Sequence, residues 1–370
     1  GIASNTTNLQ VLSSSGAITF NDLLPTGNTS YNGMYFRPSS ANAIKIGADG
    51  STVASSSSNI SFNADKITFE QGDVQVSTSG KVSVAPEGAS FGAEFSNTSL
   101  NLSSNVSELV LGKSTNTQNI TLGRATTIAG PITAFGGNIS VNENLNTNAG
   151  AANGDILLKS SGDIILAAFK SITTTGGDVI LWSNSDNETT NGSVALRNGS
   201  SIVTGSGSVA GGHIWIGGGS DGTTWNGLSV GSGYAVPGTS FTPSNGGGVF
   251  PSGVYLERNT LSSFGGAIKI AGDGAASYRG IVTYGNTLTI NGGTGNIELD
   301  GQVSSTASNR GGILFGIHDA SSASTVNISS SATTGDAITI NGVGRGTEDA
   351  IGLSGLLNIT ASGGGNININ

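Results

Sequence analysis

Residues 154–181 read GDILLKSSGDIILAAFKSITTTGGDVIL, and this stretch decides the fold. Three times in it a glycine and an aspartate precede three apolar residues, as in Gly162-Asp163-Ile164-Ile165-Leu166. Gly and Asp are typical of tight turns, and a short apolar run after a turn is typical of a buried strand. The stretch therefore predicts a unit of one turn and one short strand that repeats along the chain.

The same phrase returns in both directions from this stretch, with further copies at Gly137, Gly212, Gly266, Gly295 and Gly365. Earlier in the chain, apolar-x-apolar strands such as Ile60-Ser61-Phe62 follow one another about every seven or eight residues. Such spacing is typical of a β-solenoid with three strands in a coil of roughly 20–27 residues. We therefore predict an all-β protein, a right-handed parallel β-helix. The predicted inward-facing stack is Ile60, Val74, Leu100, Ile120, Ile139, Ile164, Val179, Ile214, Ile268, Ile297, Ile338 and Ile367.

The repeats divide the chain into a less regular segment, 1–58, and one continuous β-helix, 59–370. Residues 217–253 break the rhythm of that helix, since they hold three prolines and a concentration of aromatic residues. We interpret this segment as a loop excursion from the solenoid. The first residues, Gly1-Ile2-Ala3-Ser4-Asn5, lack the features of a signal peptide, and no cap follows the last strand. We expect a mature product or a piece of a longer chain.

The composition excludes several classes of protein. Charged residues make up 10% of the 370 residues and hydrophobic residues 35%, which suits a thin solenoid core. The net charge of −9 and the dispersed basic residues argue against a nucleic-acid partner. There is no cysteine, and no apolar run approaches the roughly 20 residues of a membrane span. His213 and His318 do not form a metal-binding pattern, so we predict no metal and no cofactor.

Outward-facing positions are polar in most of the predicted strands, but they become apolar between 154 and 216. These apolar residues are Leu157, Ile165, Ile180, Ala195 and Trp215. Either the excursion folds back and covers them, which we favour, or they form an exposed contact surface. We place ligand binding on the aromatic residues of the excursion, Trp225, Tyr234, Phe241 and Phe250. No catalytic residue is assigned, because Asp155, Asp163 and Asp178 occupy turn positions where Asp bonds its own backbone.

The runs Leu109-Val110-Leu111-Gly112-Lys113, Asn119-Ile120-Thr121-Leu122-Gly123 and Gly176-Gly177-Asp178-Val179-Ile180-Leu181-Trp182 resemble the repeats of filamentous-haemagglutinin-like adhesins. The resemblance implies a secreted, non-catalytic segment of a large protein on the surface of Gram-negative bacteria. It also implies neighbouring repeats of the same chain, and adhesion to host cells, other bacteria or a substratum, with glycans among the ligands.

Two other functions stay open. The chain could be a carbohydrate-active β-helix, such as a polysaccharide lyase, a hydrolase or a tailspike-like protein. Three acids that converge on one solenoid face would favour this alternative, because cleavage of a glycosidic bond needs carboxyl groups at a defined separation. The chain could also be a passive filament or surface-layer component whose coil ends stack between molecules.

Overall fold

The computed structural model describes residues 9–22, 33–36, 38, 44–69, 73–149, 154–188, 191–207, 209–244, 251–274, 278–304, 310–317 and 324–370. These residues form strands, turns and bends, and none of them belongs to a helix that could cross a membrane. The chain divides into two compact units, Gly1–Ile156 and Leu157–Asn370. Each unit is a parallel β-solenoid, as the repeats predict, and each is described by itself.

In unit 1 the chain visits three sides in turn. The first side has stack A1, which contains β1 (Leu9–Leu12), β4 (Ile44–Gly47), β7 (Val74–Ser77) and β10 (Leu100–Leu102). Stack B1 contains β2 (Ile18–Asn21), β5 (Ile60–Asn63), β8 (Lys81–Ala85), β11 (Glu108–Leu111) and β14 (Ile132–Gly136). The third side contains β3 (Met34–Phe36) paired with β6 (Ile67–Phe69), and the group β9 (Phe95–Ser96), β12 (Ile120–Leu122) and β15 (Ile139–Val141). A further pair is β13 (Thr126–Thr127) with β16 (Leu145–Asn146).

Four of these strands, β1 to β4, lie within 1–58, and they join the later strands in the same parallel register. Their inward residues continue the core as an aromatic column. Phe20 lies opposite Phe62 in register, and the two rings stack with centroids 5.1 Å apart. Phe36 stacks on Phe69 of the next coil at 5.2 Å. Because one coil places each residue over its counterpart, aromatic residues at equivalent positions stack on each other.

Unit 2 repeats the three-sided plan. Stack A2 contains β19 (Ser171–Thr173), β22 (Ser201–Val203), β26 (Thr260–Ser262), β29 (Thr287–Asn291), β32 (Thr325–Ser330) and β35 (Leu356–Ala361). Stack B2 contains β17 (Ile156–Ser160), β20 (Val179–Trp182), β23 (Ile214–Trp225), β27 (Ile268–Asp273), β30 (Ile297–Gln302), β33 (Asp336–Val343) and β36 (Asn366–Ile369). Stack C2 contains β18 (Ile164–Leu166), β21 (Val194–Leu196), β25 (Ser252–Glu257), β28 (Arg279–Tyr284), β31 (Ile313–Ile317) and β34 (Ile351–Leu353).

Alternation along each short strand builds the core, because successive side chains point to opposite faces of a sheet. Every residue of the predicted inward stack is buried except Ile367, which is 43% exposed. Ile367 lies in β36, which among the described residues pairs with β33 alone, and this leaves its side chain partly open to solvent. The register of the predicted core is therefore confirmed over the described coils.

Buried hydroxyl groups line one bend of unit 2, between stack A2 and stack B2. Thr174, Thr204 and Ser263 follow successive A2 strands, and each donates a hydrogen bond to a glycine carbonyl of the turn that comes next, at 2.5–2.6 Å. A carbonyl taken out of water in a tight bend needs such a partner. The sequence contains this signal as a serine or threonine shortly before each glycine turn.

Candidate binding site

The excursion predicted near 217–253 does not begin as a loop. Strand β23 runs on to Trp225, turns at Asn226 and Gly227, and returns antiparallel as β24 (Leu228–Gly233). Both turn residues have positive φ, 47° and 83°, which is the backbone of a type I′ turn. An Asn-Gly pair between two strands is the strongest short-range sign of a β-hairpin, so the sequence held this signal. We call β23 from Gly218 onward, together with β24, the hairpin.

The hairpin leaves stack B2 after Gly217, and the chain that follows it fills the gap. Ala235 pairs in parallel with Gly272 of β27, and it does so through two backbone hydrogen bonds of 3.1 Å and 2.8 Å. The indole N–H of Trp182 donates to the carbonyl of Gly219 at 2.7 Å and ties the base of the hairpin to β20. The hairpin is thus anchored at its base on both sides.

Three of the outward apolar residues lie under the hairpin. Ile180 and Trp215 are register partners on stack B2, and they form a buried cluster with Trp182 and with Val230 of β24. Leu157, Trp225 and Leu228 pack against this cluster. Trp215 is 2% exposed although it points away from the core, because the hairpin takes the place of solvent.

The other two outward apolar residues lie on stack C2, under the segment that follows the hairpin. We call residues 239–244 the strap. Ala195 forms a buried cluster with Phe241 of the strap and with Tyr255, and Ile165 packs against this cluster. The Phe241 and Tyr255 rings stack with centroids 5.7 Å apart. Burial raises the pKa of the Tyr255 hydroxyl far above its usual value. The outward apolar residues therefore divide between two faces, and a different part of the excursion covers each face.

Two buried carboxylates hold the strap at its ends. Asp163 accepts hydrogen bonds from the backbone N–H and hydroxyl of Thr239, and its other oxygen accepts the N–H and hydroxyl of Ser193, both at 2.8 Å. Glu257 accepts the N–H and hydroxyl of Ser244 at 2.8 Å and 2.6 Å. Asp163 has a tertiary role beyond the turn that the sequence predicts, and no local pattern in the sequence marks Glu257 as an anchor.

A pocket of about 270 Å³ opens between the hairpin and stack B2. Its apolar lining comes from Trp215, Trp225 and Val230. Its polar lining comes from Tyr234, Lys269 and Asp300, and from the exposed hydroxyls of the hairpin. A second pocket, of about 410 Å³, adjoins it and shares Trp225; its other lining residues include His213, Asn226, Asn296 and Glu298. The His213 and Trp225 rings meet edge to face, with centroids 5.5 Å apart.

The polar side of the first pocket contains one hydrogen-bonded pair and one ion pair. The Tyr234 hydroxyl donates to Asp300 Oδ2 at 3.0 Å, and Lys269 Nζ lies 2.8 Å from Glu298 Oε1. Burial raises the pKa of Asp300 above its usual value. Burial and the negative charge of Asp300 raise the pKa of Tyr234 to about 12. Tyr234 therefore keeps its proton at neutral pH and donates a hydrogen bond to Asp300.

The predicted ligand-binding residues do not all belong to this site. Trp225 and Tyr234 line the first pocket together. Phe241 is 2% exposed and belongs to the cluster beneath the strap, so its ring cannot meet a ligand. Phe250 lies outside the described residues, as does His318. His213 occupies its predicted turn position, where Nδ1 accepts the backbone N–H of Ala267 at 2.8 Å. Within the described ranges, no three His, Cys, Asp or Glu side chains are placed to hold a metal ion.

No family model, no curated protein and no solved structure matches this chain.

Proposed function

We propose that this chain is an adhesive segment of a large, non-catalytic β-solenoid on the bacterial surface, and that it binds through the hairpin side of unit 2. The observation that carries the proposal is the hairpin itself. It interrupts a stack whose other strands only repeat, and it converts one flat face into a pocket with aromatic and carboxylate walls. Insertions that break a solenoid repeat are where such proteins place binding. The resemblance to haemagglutinin-like repeats supports display at the cell surface.

The test is a hairpin that is shorter but still folded. Deletion of Thr224, Trp225, Leu228 and Ser229 brings the Asn226-Gly227 turn directly onto the Thr223–Val230 pair. Removal of two residues from each strand keeps the hydrogen-bonding phase of an antiparallel pair. It also leaves Val230 over Trp215. We call this protein the short-hairpin variant.

We expect the short-hairpin variant to unfold cooperatively, with a midpoint below that of the parent because it lacks the packing of Trp225 and Leu228. It should lose most of its adhesion to epithelial cells, bacterial cells and coated surfaces. A matched control is Phe169→Ala, which removes an aromatic side chain that is 73% exposed and does not line either pocket. The control should adhere like the parent. Undiminished adhesion of the short-hairpin variant would place binding elsewhere and overturn the proposal.

One observation favours a second candidate, a carbohydrate-active β-helix. Asp273, Glu298 and Asp300 lie on neighbouring strands of stack B2, and all three are near enough to raise the pKa of Tyr234. All three are already engaged, since Glu298 pairs with Lys269, Asp273 accepts from Gln302 and from Ser304, and Asp300 accepts from Tyr234. Release of reducing ends from polysaccharides by the parent, and its loss in Asp300→Asn, would establish this alternative.

A further inference from the structure

We infer that the pocket beneath the hairpin binds the uncharged ring of a sugar, with the ring face against Trp225 and its hydroxyl groups on Asp300 and Tyr234. The inference rests on the proposed function, because it names the ligand class of the same binding surface. Four features of the pocket support it: an apolar wall, a polar wall, a net negative charge and a size close to that of one sugar ring.

The apolar wall suits a pyranose ring. One face of such a ring carries mostly C–H groups, which pack on an aromatic surface. Trp225 is half-buried at the tip of the hairpin, and Trp215 and Val230 are buried beneath it. Trp225 therefore presents a free part of its indole to the pocket, while the other two residues fix the floor. The tight type I′ turn beside Trp225 positions the indole on a rigid element.

The polar wall suits hydroxyl groups. Asp300 has one oxygen on the Tyr234 hydroxyl, and a carboxylate can accept several hydrogen bonds. Two hydroxyl donors on neighbouring ring carbons match such an acceptor. Thr223 and Thr224 add exposed hydroxyls from the hairpin on the opposite side of the pocket. The pocket thus sets fixed polar groups opposite an apolar wall, an arrangement that orients a small ligand.

The charge of the pocket selects against acidic sugars. Glu298 and Asp300 lie two residues apart on the outward side of β30, and Asp273 lies on the adjacent β27. The cation among the pocket-lining residues, Lys269, is already paired with Glu298 at 2.8 Å. A sialate, uronate or sulfate group would meet excess negative charge at short range. Neutral hexoses avoid this repulsion.

The size of the site suits a short oligosaccharide. A volume of about 270 Å³ lies near the lower end of ligand pockets, which fits one ring. The second pocket continues along the strand direction, from Asp300 past Glu298 to Asn296. At about 3.3 Å per residue, Asn296 to Asp300 spans roughly 13 Å. Trp225 borders both pockets, so a second ring can contact the same indole from the other side.

The experiment uses the full chain on immobilised oligosaccharides of glucose, galactose and mannose, with sialylated, uronate and sulfated oligosaccharides beside them. We expect binding to at least one neutral series, little change with added salt, and no binding to the acidic series. Trp225→Ala should weaken binding about tenfold, equivalent to about 1.4 kcal/mol, because it removes the aromatic face on which the ring packs. Asp300→Asn should weaken it as well, and Phe169→Ala should leave it unchanged.

The inference is overturned if the parent binds no neutral series, whether or not it binds the acidic series. It is also overturned if the parent binds a neutral series and Trp225→Ala and Asp300→Asn both leave that binding intact. Melting curves show whether each variant is folded. Because Trp225 and Asp300 are only partly buried, we expect at least one of the two variants to fold and to give an interpretable binding measurement. The adhesion assay separates the two proposals. If the short-hairpin variant loses adhesion while the parent binds no neutral sugar, the adhesive function stands and the ligand class is wrong. If the short-hairpin variant adheres fully, the adhesive function of the hairpin fails.

Discussion

Stack B1 and stack B2 have the same geometry on the inside and opposite chemistry on the outside. On B1, successive outward register positions hold Ser61, Ser83, Val110 and Thr133. On B2, the equivalent row holds Ile180, Trp215, Lys269 and Glu298. This row is polar apart from the half-buried Val110, and its Ser83 donates to Ser61 at 3.0 Å. In the row beside it, Lys81 pairs with Glu108 at 2.9 Å. The apolar part of the B2 row lies under the hairpin.

This difference shows that the inward and the outward residues of a strand determine different features of the fold. The inward residues set the coil, and they are equally apolar in both units. The polarity of the outward residues matches what covers them. The serine ladder of stack B1 faces water, and Ile180 and Trp215 of stack B2 face the hairpin. A run of outward apolar residues in a solenoid sequence is therefore evidence for an insertion that covers it.

The largest expected effect concerns the buried core, where stack B1 and the stacks of unit 2 should respond alike. Val82→Asp in unit 1 and Ile164→Asp in unit 2 each place a carboxylate in a core with at most 1% exposure. An unpaired buried charge costs several kcal/mol, and coils of a solenoid depend on their neighbours. Both variants should lose cooperative thermal unfolding, followed by circular dichroism. Two half-buried outward residues serve as controls, Ser83 on β8 and Thr173 on β19, and both Ser83→Asp and Thr173→Asp should unfold like the parent. A cooperative Ile164→Asp protein would shift the register by one residue.

The next-largest effect concerns the outward face of stack B2, beneath the hairpin. Trp215→Ala removes a large side chain that is 2% exposed between stack B2 and the hairpin. Truncation of a buried Trp costs about 3–5 kcal/mol, measured as the free energy of unfolding in urea. Ser83→Ala, at an outward position of stack B1, should change that free energy by less than about 0.5 kcal/mol. Equal effects of the two substitutions would mean that the hairpin does not cover Trp215 in solution.

The sequence predicts the solenoid core better than it predicts the hairpin and the strap, and particular residues show why. Ile164, Val179 and Ile297 were assignable because the period of a strand is two and acts locally. The sequence does not predict the hairpin strands, since Gly217-Gly218-Gly219 has weak strand propensity, although Asn226-Gly227 marks the turn between them. For Asp163 the sequence predicts a turn and nothing more. Its bond to Thr239 joins residues 76 apart in sequence, and Tyr234 and Asp300 are 66 apart, so neither pair leaves a local pattern.

A smaller effect sharpens the comparison at the strap. Glu257 is fully buried; one oxygen accepts from Ser244, and the other accepts from Arg197 Nε and the N–H of Asn198. In Glu257→Gln the amide nitrogen must face one of these two sets of donors, so we expect a loss of about 1–3 kcal/mol in the free energy of unfolding. Limited proteolysis should cut the strap faster. Asp221→Asn, an exposed substitution on the hairpin, is the control, and an unchanged Glu257→Gln protein would show that the carboxylate does not anchor the strap.

The smallest effect depends on pH. Burial raises the pKa of Asp300 above its unfolded value, so the folded state holds this proton more tightly than the unfolded state. The parent is therefore most stable, relative to Asp300→Asn, at a pH below the ordinary Asp pKa, and it loses that advantage as the pH rises through the raised value. At pH 7 the variant should be equally stable or more stable, by up to about 1 kcal/mol for this partly exposed group. The Tyr234 hydroxyl lowers the pKa of Asp300, so Tyr234→Phe should move the step to higher pH. A constant stability difference from pH 3 to pH 7, measured by urea unfolding, would show that Asp300 is solvated and that the pocket is open to water on its polar side.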